Sequence, residues 1–246
     1  MKKLENFVFI HDQEIVLDFI KKNRFHDLED FKWVFLGNNP VDKIINLKNL
    51  IIARDLENNI EDYPKFTSFT GWFALYKNGL LNSEYVNLFE YDIHYIDKFI
   101  EINNEMLKKN PDFIGYFPMT ISDPVYTSQS QYSIELTEAV KKKTGFDILE
   151  MLKKMHPHAL WSSSSNSTWK VSELMMYIDW FSQFIEDLKD SIYCGHMHER
   201  SLSFYYFMKN LKVHLTHSLM IHAQLNSHGT SPLPPERAKK MYNLLK

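Results

Sequence analysis

Phe7-Val8-Phe9-Ile10, Trp33-Val34-Phe35-Leu36 and Leu50-Ile51-Ile52-Ala53 are three short, wholly apolar runs in the first 53 residues. Each is shorter than a buried helix, and each stops at polar or turn-forming residues: His11-Asp12, Gly37-Asn38-Asn39-Pro40 and Arg54-Asp55. Between the first two, Ile15-Val16-Leu17-Asp18-Phe19-Ile20 has helical character. A strand that is apolar at every position is buried on both faces, and that happens in a parallel sheet covered by helices. The expected class is therefore α/β, with a Rossmann-type mixed, mainly parallel sheet. Sheets of this kind bind ligands beyond the carboxyl ends of their strands. His11, Asp12, Asn38, Arg54 and Asp55 are the first candidate site residues on that ground.

Composition narrows the partners. The 28 Lys and Arg against 31 Asp and Glu leave a formal charge of −3, with no basic block that could track a phosphate backbone, so nucleic acid is not expected. No apolar run approaches the roughly 20 residues of a transmembrane helix, and Met1-Lys2-Lys3 leads into an acidic, strand-like segment instead of a signal-peptide core. The one cysteine, Cys194, can form neither an internal disulfide nor a Cys-rich zinc site, which fits a reducing compartment. A soluble, cytoplasmic protein without a transmembrane segment is the expectation.

Further along, residues 69–78 read as a helix despite Gly71, and residues 85–92 as a strand closing on two acids. A helix over 96–108 and a strand at 113–117 follow, then two helices over 134–155 meeting at Thr144-Gly145. Residues 158–161 read as a short strand, 162–168 as a polar loop, and 172–188 as an amphipathic helix. Ile192-Tyr193-Cys194 reads as a short apolar strand leading into a helix, 213–216 is a last strand, and Pro234-Pro235-Glu236 opens a terminal helix. No repeat, linker or low-complexity tract divides the chain. Trp180 and the Met151, Met155, Met175 and Met176 spacings read as packing, and Lys141-Lys142-Lys143 as a solvated face.

The sharpest chemical feature is Glu90-Tyr91-Asp92. In an extended strand end, positions i and i+2 point to one side, so the two carboxylates can offer hard oxygens to one divalent cation. Such an ion, Mn²⁺ or Mg²⁺, can offset the charge of a departing diphosphate. Thr70, Trp72, Phe73, Tyr76, Lys77 and Asn78, followed by Tyr85-Val86-Asn87-Leu88-Phe89 and then Glu90-Tyr91-Asp92, resemble the donor-site region of GT-A type glycosyltransferases. The triplet looks like a variant of that family's Asp-x-Asp signature, with Glu in the first place.

The resemblance implies a single GT-A-like domain over 1–246, with a nucleotide-sugar-binding half (1–92) and an acceptor-side half (93–246). It implies a metal-dependent transfer of a sugar, hexosyl or deoxyhexosyl, from a nucleotide-diphosphate donor to a glycan, lipid-linked or protein acceptor. Glu90 and Asp92 would hold the metal with a late histidine, His222 or His228. His11 and Asp12 would meet ribose or base, Asp55 a uracil-type ring or ribose hydroxyl, and Arg54 phosphate, with Tyr91 and Lys77 also on the donor side. Glu199 would take the acceptor's proton at a helix start, which favours inversion, with His196 and His198 as alternatives. Pairing of Glu199 with Arg200 is the plain structural alternative.

Two competing readings remain. Gly195-His196-Met197-His198 is also the pattern of a calcineurin-like metallophosphoesterase, but the partner motifs are missing: His11-Asp12 stands in the wrong order, and Gly37-Asn38-Asn39 only partly imitates Gly-Asn-His. A non-catalytic binding domain is the other, because an α/β fold alone implies no chemistry.

Overall fold

The three apolar runs form β1 (Leu4–Ile10), β2 (Phe31–Phe35) and β3 (Leu50–Ile52), with α1 (Gln13–Lys22) after the first. In this computed structural model the described residues are 3–22, 31–91, 93–95, 99–116, 118–120, 133–156, 159–162, 164–216 and 220–222. Beyond β3 come two 3₁₀ turns (Ala53–Asp55 and Pro64–Phe66), α2 (Ser68–Lys77), β4 (Tyr85–Glu90), β5 (Ile93–Tyr95), α3 (Phe99–Leu107), β6 (Phe113–Tyr116) and β7 (Pro118–Thr120). The second half holds α4 (Ile134–Thr144), α5 (Ile148–Lys154), β8 (Leu160–Ser162), β9 (Ser167–Lys170), α6 (Val171–Ser182), α7 (Ile185–Leu188), α8 (Cys194–Lys209), β10 (Val213–Thr216) and β11 (Met220–His222).

Seven strands make one sheet in the order β10-β6-β9-β4-β1-β2-β3, and every neighbour pair is parallel except the two that involve β9. The continuous apolar character of β1 is explained by this position. Phe7 and Phe9 face a core built with α2, α6 and α8, while Val8 and Ile10 face a second core with Val16 of α1 and Phe99, Met106 and Leu107 of α3. Gly71 sits inside α2 because a Cβ there would come within 2.7 Å of the Phe9 ring, so the helix lies directly against β1. The boundary expected at Thr144-Gly145 is present, with Gly145 in the left-handed conformation (φ 75°) capping α4.

Several expectations need correction. Residues 162–168 are not all loop, because Ser167 begins the central antiparallel strand β9. The apolar signal is weak there because Thr168 is buried against polar partners: its hydroxyl donates to Asn87 and is 2.8 Å from the Tyr116 hydroxyl. The segment 172–188 is two helices, α6 and α7. The run Ile192-Tyr193-Cys194 is no strand: α8 begins at Cys194 itself. Strand 85–92 also ends earlier than expected, at Glu90, with Tyr91 in a turn. The terminal helix opened by Pro234-Pro235 lies outside the described residues. Among the described residues, no helix is long and apolar enough to cross a membrane.

Candidate donor site at the carboxyl edge

Because β1, β2, β3 and β4 are mutually parallel, their carboxyl ends meet along one edge of the sheet. A hydrogen-bonded rim joins those ends. Asn39 Nδ2, beyond β2, donates to the His11 carbonyl beyond β1 at 2.8 Å. Arg54 Nη1, beyond β3, donates to the carbonyls of Gly37 (3.2 Å) and Asn39 (3.3 Å). The His11 ring meets the Tyr91 ring edge to face at 5.0 Å, which brings the end of β4 to the same place. His11, Arg54, Asp55, Glu90 and Tyr91 are thus gathered along this one edge.

Several of these side chains already have structural work. The Asp12 carboxylate accepts the Glu14 N–H at 2.9 Å and so caps α1. Arg54 binds backbone carbonyls and lies 3.8 Å from the exposed Asp55 carboxylate. Its expected contact with phosphate competes with that loop-holding role. The backbone N–H of Glu90 donates to Asn166 Oδ1 at 2.8 Å, and Asn166 in turn is held by Ser164. This buried run, Ser164-Ser165-Asn166-Ser167, leads into the antiparallel strand β9 at the same edge, although its sequence reads as loop. Glu61 is a second residue that the sequence does not mark: its buried carboxylate accepts the N–H of Gly37.

Two helix starts also meet at this edge. Both α2 and β4, and α8 and β10, are consecutive, so α2 and α8 run back against the parallel strands and start at the carboxyl edge. Their amino ends touch, since a Cβ on Gly195 would lie 2.8 Å from the Thr67 methyl. Neither end has a side-chain cap, and the first-turn residues Ser68, Phe69, Cys194 and Gly195 are buried where the two helices meet.

Other expected positions fare differently. Lys77 is at the far end of α2, paired with Asp179 at 2.6 Å and over the Tyr76 ring, which removes it from the carboxyl edge. His198 is wholly buried among Phe69, Trp72, Tyr177 and Phe181, and burial pushes its pKa down to about 3, so it is a neutral core residue and not an acid or base open to substrate. His196, two residues earlier on the same helix, points roughly 200° away and meets the Tyr193 ring instead. The two imidazoles therefore do not converge on one ion, and this segment does not supply the paired-histidine metal site of the phosphoesterase reading. Glu199 is in the second turn of α8, not at its start, and its ion partner is the buried Arg200 guanidinium; the helix dipole has faded by that turn.

Asp92 and His228 lie outside the described residues. The backbone of His222 is described: β11 pairs antiparallel with β5, with His222 opposite Ile93. Among the described residues, no group of three or more His, Cys, Asp or Glu could hold a metal ion. The described side chains do not by themselves fit a divalent cation.

No family model and no curated protein matches the chain. Among solved structures, the apo structure of the bifunctional glycosyltransferase WbbM matches with a TM-score of 0.62 at 12% identity, over 89% of this chain and 45% of that one. A Bacillus anthracis protein assigned as a glucose-1-phosphate thymidylyltransferase, solved with sucrose, matches at a TM-score of 0.44 and 6% identity over 98% and 95% of the two chains, too low to carry an argument. This chain therefore spans less than half the length of WbbM, and what the two share is the fold: a mixed, mainly parallel seven-stranded sheet flanked by helices, of the GT-A-like Rossmann type.

Proposed function

We propose that this chain is a glycosyltransferase that takes its sugar from a nucleotide-diphosphate donor and passes it to a hydroxyl of a glycan, a lipid-linked carrier or a protein. The observation that carries the reading is the rim His11–Asn39–Arg54–Gly37, closed by Tyr91, at the carboxyl edge of a GT-A-like sheet. The nucleoside lies over this rim, on the 1–92 half, and the acceptor approaches from the 93–246 half.

In this reading Glu199 takes the acceptor's O–H proton. The freed oxygen attacks the anomeric carbon, and the bond from that carbon to the diphosphate oxygen breaks, with its electrons going to the leaving group. The paired Arg200 guanidinium balances the Glu199 charge beforehand. Attack from the face opposite the leaving group inverts the centre. A divalent cation, Mn²⁺ or Mg²⁺, held by Glu90, Asp92 and His222 or His228, belongs to the proposal on the strength of the sequence resemblance alone.

The test is a thermal-shift panel of nucleotide-diphosphate sugars, with Mn²⁺ or with EDTA, followed by a transfer assay with the best donor. A donor at 100 times its Kd stabilises by about 2.7 kcal/mol. No stabilisation by any member at millimolar concentration sinks the proposal. Stabilisation by metal alone, with turnover of a phosphate ester, moves the chain to the hydrolase class.

A further inference from the structure

Met151 and Met155 at α5, Phe207 and Leu211 at the end of α8, and Val213 and Leu215 of β10 line an open apolar cavity of about 540 Å³. All six pack against the outside of the main core, and each is only partly buried. Leu160, also on the cavity wall, is 44% exposed. The cavity runs along the end of the sheet, where β10 is the last of the seven strands and has β6 on one side only. An uncovered end strand is a template for pairing with another chain, and folded proteins commonly cover it with a helix or loop.

The lining offers little to orient a small polar ligand. The Tyr206 hydroxyl already donates to the Leu160 carbonyl and accepts the Ser162 N–H, and Asn210, in the left-handed conformation (φ 52°), caps α8. Small-molecule sites place several convergent polar groups among their apolar ones. A cavity without them suits a second apolar protein surface.

The chain carries such a surface beyond its last described strand. In residues 235–246, which lie outside the described residues, Pro235 suits a first helical position, and Ala238, Met241, Tyr242 and Leu245 recur at i, i+3, i+4 and i+7. Lys239, Lys240 and Asn243 fall on the other side of that stripe. From Ala238 to Leu245 a helix rises about 10 Å, against about 13 Å of extended chain from Leu211 to Leu215. The cavity is also within reach. His222 closes β11 seven residues after Leu215, so the two are at most roughly 25 Å apart, and residues 223–234 can extend over roughly 40 Å.

We infer that residues 235–246 dock as a helix in this cavity, with Met241, Tyr242 and Leu245 turned inward and Lys239 and Lys240 in water. The docked helix covers the end strand β10 and completes the core that α5, α8 and β10 leave open.

The test places cysteine pairs in the full chain: Met241→Cys or Leu245→Cys, each combined with Met155→Cys or Leu211→Cys. Cys194 is buried and stays out of the reaction. Oxidation of dilute protein with copper phenanthroline should give an intramolecular disulfide in at least one pair, seen by mass and by migration on a non-reducing gel. Lys240→Cys with the same partners should give none. Leu245→Asp should lower Tm by about 4–8 °C, and Lys240→Asp should leave it within about 1 °C. Absence of any internal cross-link, equal cross-linking through residue 240, or an unchanged Tm in Leu245→Asp each overturns the inference. Disulfide-linked dimers in place of the internal bond overturn it in favour of a second copy of the chain. Flotation of the natural chain with phosphatidylglycerol vesicles, lost in Leu211→Asp, overturns it in favour of lipid.

Discussion

Asn166 Oδ1 accepts the backbone N–H of Glu90 at 2.8 Å, so a side chain from the turn before β9 holds the last residue of β4. Asn166 is wholly buried, and its own amide is fixed by the Ser164 hydroxyl. Replacing it with alanine leaves the Glu90 N–H without this acceptor and releases the strand end. Asn166→Ala is expected to cost about 2 kcal/mol, which for a chain of this size lowers Tm by roughly 4–8 °C. Donor affinity should fall with it. Differential scanning fluorimetry with and without the best donor checks both; unchanged donor stabilisation would show that Glu90 has no part in binding.

Glu199 and Arg200 supply the second prediction. Glu199→Gln keeps the shape of the side chain but cannot take a proton, so turnover should drop by about 10²- to 10⁴-fold while donor Kd stays within a factor of a few. Initial rates with saturating donor separate the two quantities. Loss confined to stability would return Glu199 to its ion pair with the buried Arg200 guanidinium as its whole role.

How far the sequence can be read depends on which physical signal a segment carries. β1, β2 and β3 announce themselves because they are buried on both faces and have no polar position to disguise them. β9 does not, since one of its faces joins a polar network inside the core, and Ser-Thr-Trp-Lys then resembles a loop. The site shows the same division. Residues immediately after apolar strands, such as His11 and Arg54, are located by strand ends alone. Glu61 and Asn166 act through backbone atoms of distant strands, and pairs 24 and 76 residues apart leave no trace in local pattern. Lys77 and His198 depart from expectation for a related reason: each lies on a helix whose far end or inner face turns away from the edge, and a linear motif does not report that direction.

The polar network around Thr168 links five elements. Asn87 Nδ2 donates to Asn6 Oδ1 at 2.6 Å, Asn103 Nδ2 donates to Asn87 Oδ1 at 3.0 Å, and Tyr116 and Thr168 complete it. Asn87→Ala leaves Asn6, Asn103 and Thr168 each short of a partner in a dry interior. The expected cost is about 3 kcal/mol, or a Tm lowered by roughly 6–12 °C, as read by thermal unfolding. A shift below about 2 °C would mean that water fills the gap.

His198 makes stability depend on pH in a defined direction. The folded state holds the ring neutral, with its pKa pushed by burial from 6.5 to about 3, whereas the unfolded chain takes up the proton near 6.5. Its contribution is complete above about pH 6.5 and is lost as pH falls from there towards 3, at about 1.4 kcal/mol per unit. Between about pH 6.5 and 5 that amounts to about 2 kcal/mol. Urea unfolding at the two pH values, compared with His198→Met, isolates it. The variant should lose this share of the slope, and an unchanged slope would place the acid sensitivity elsewhere.

Asp92 tests the cation. It follows Glu90 by two residues in the sequence, and among the described residues the backbone of His222 pairs opposite Ile93. If a divalent ion bridges these side chains and the donor diphosphate, Mn²⁺ should enhance nucleotide-diphosphate binding in the natural chain, and Asp92→Ala should abolish that enhancement while leaving metal-free binding near its original value. A dead enzyme alone would not distinguish a ligand from a fold defect, so the readout is the difference between Kd with Mn²⁺ and Kd with EDTA, measured by calorimetry. Each tenfold of that difference is about 1.4 kcal/mol. Retention of the full Mn²⁺ effect in Asp92→Ala would show that the acidic triplet does not hold the ion.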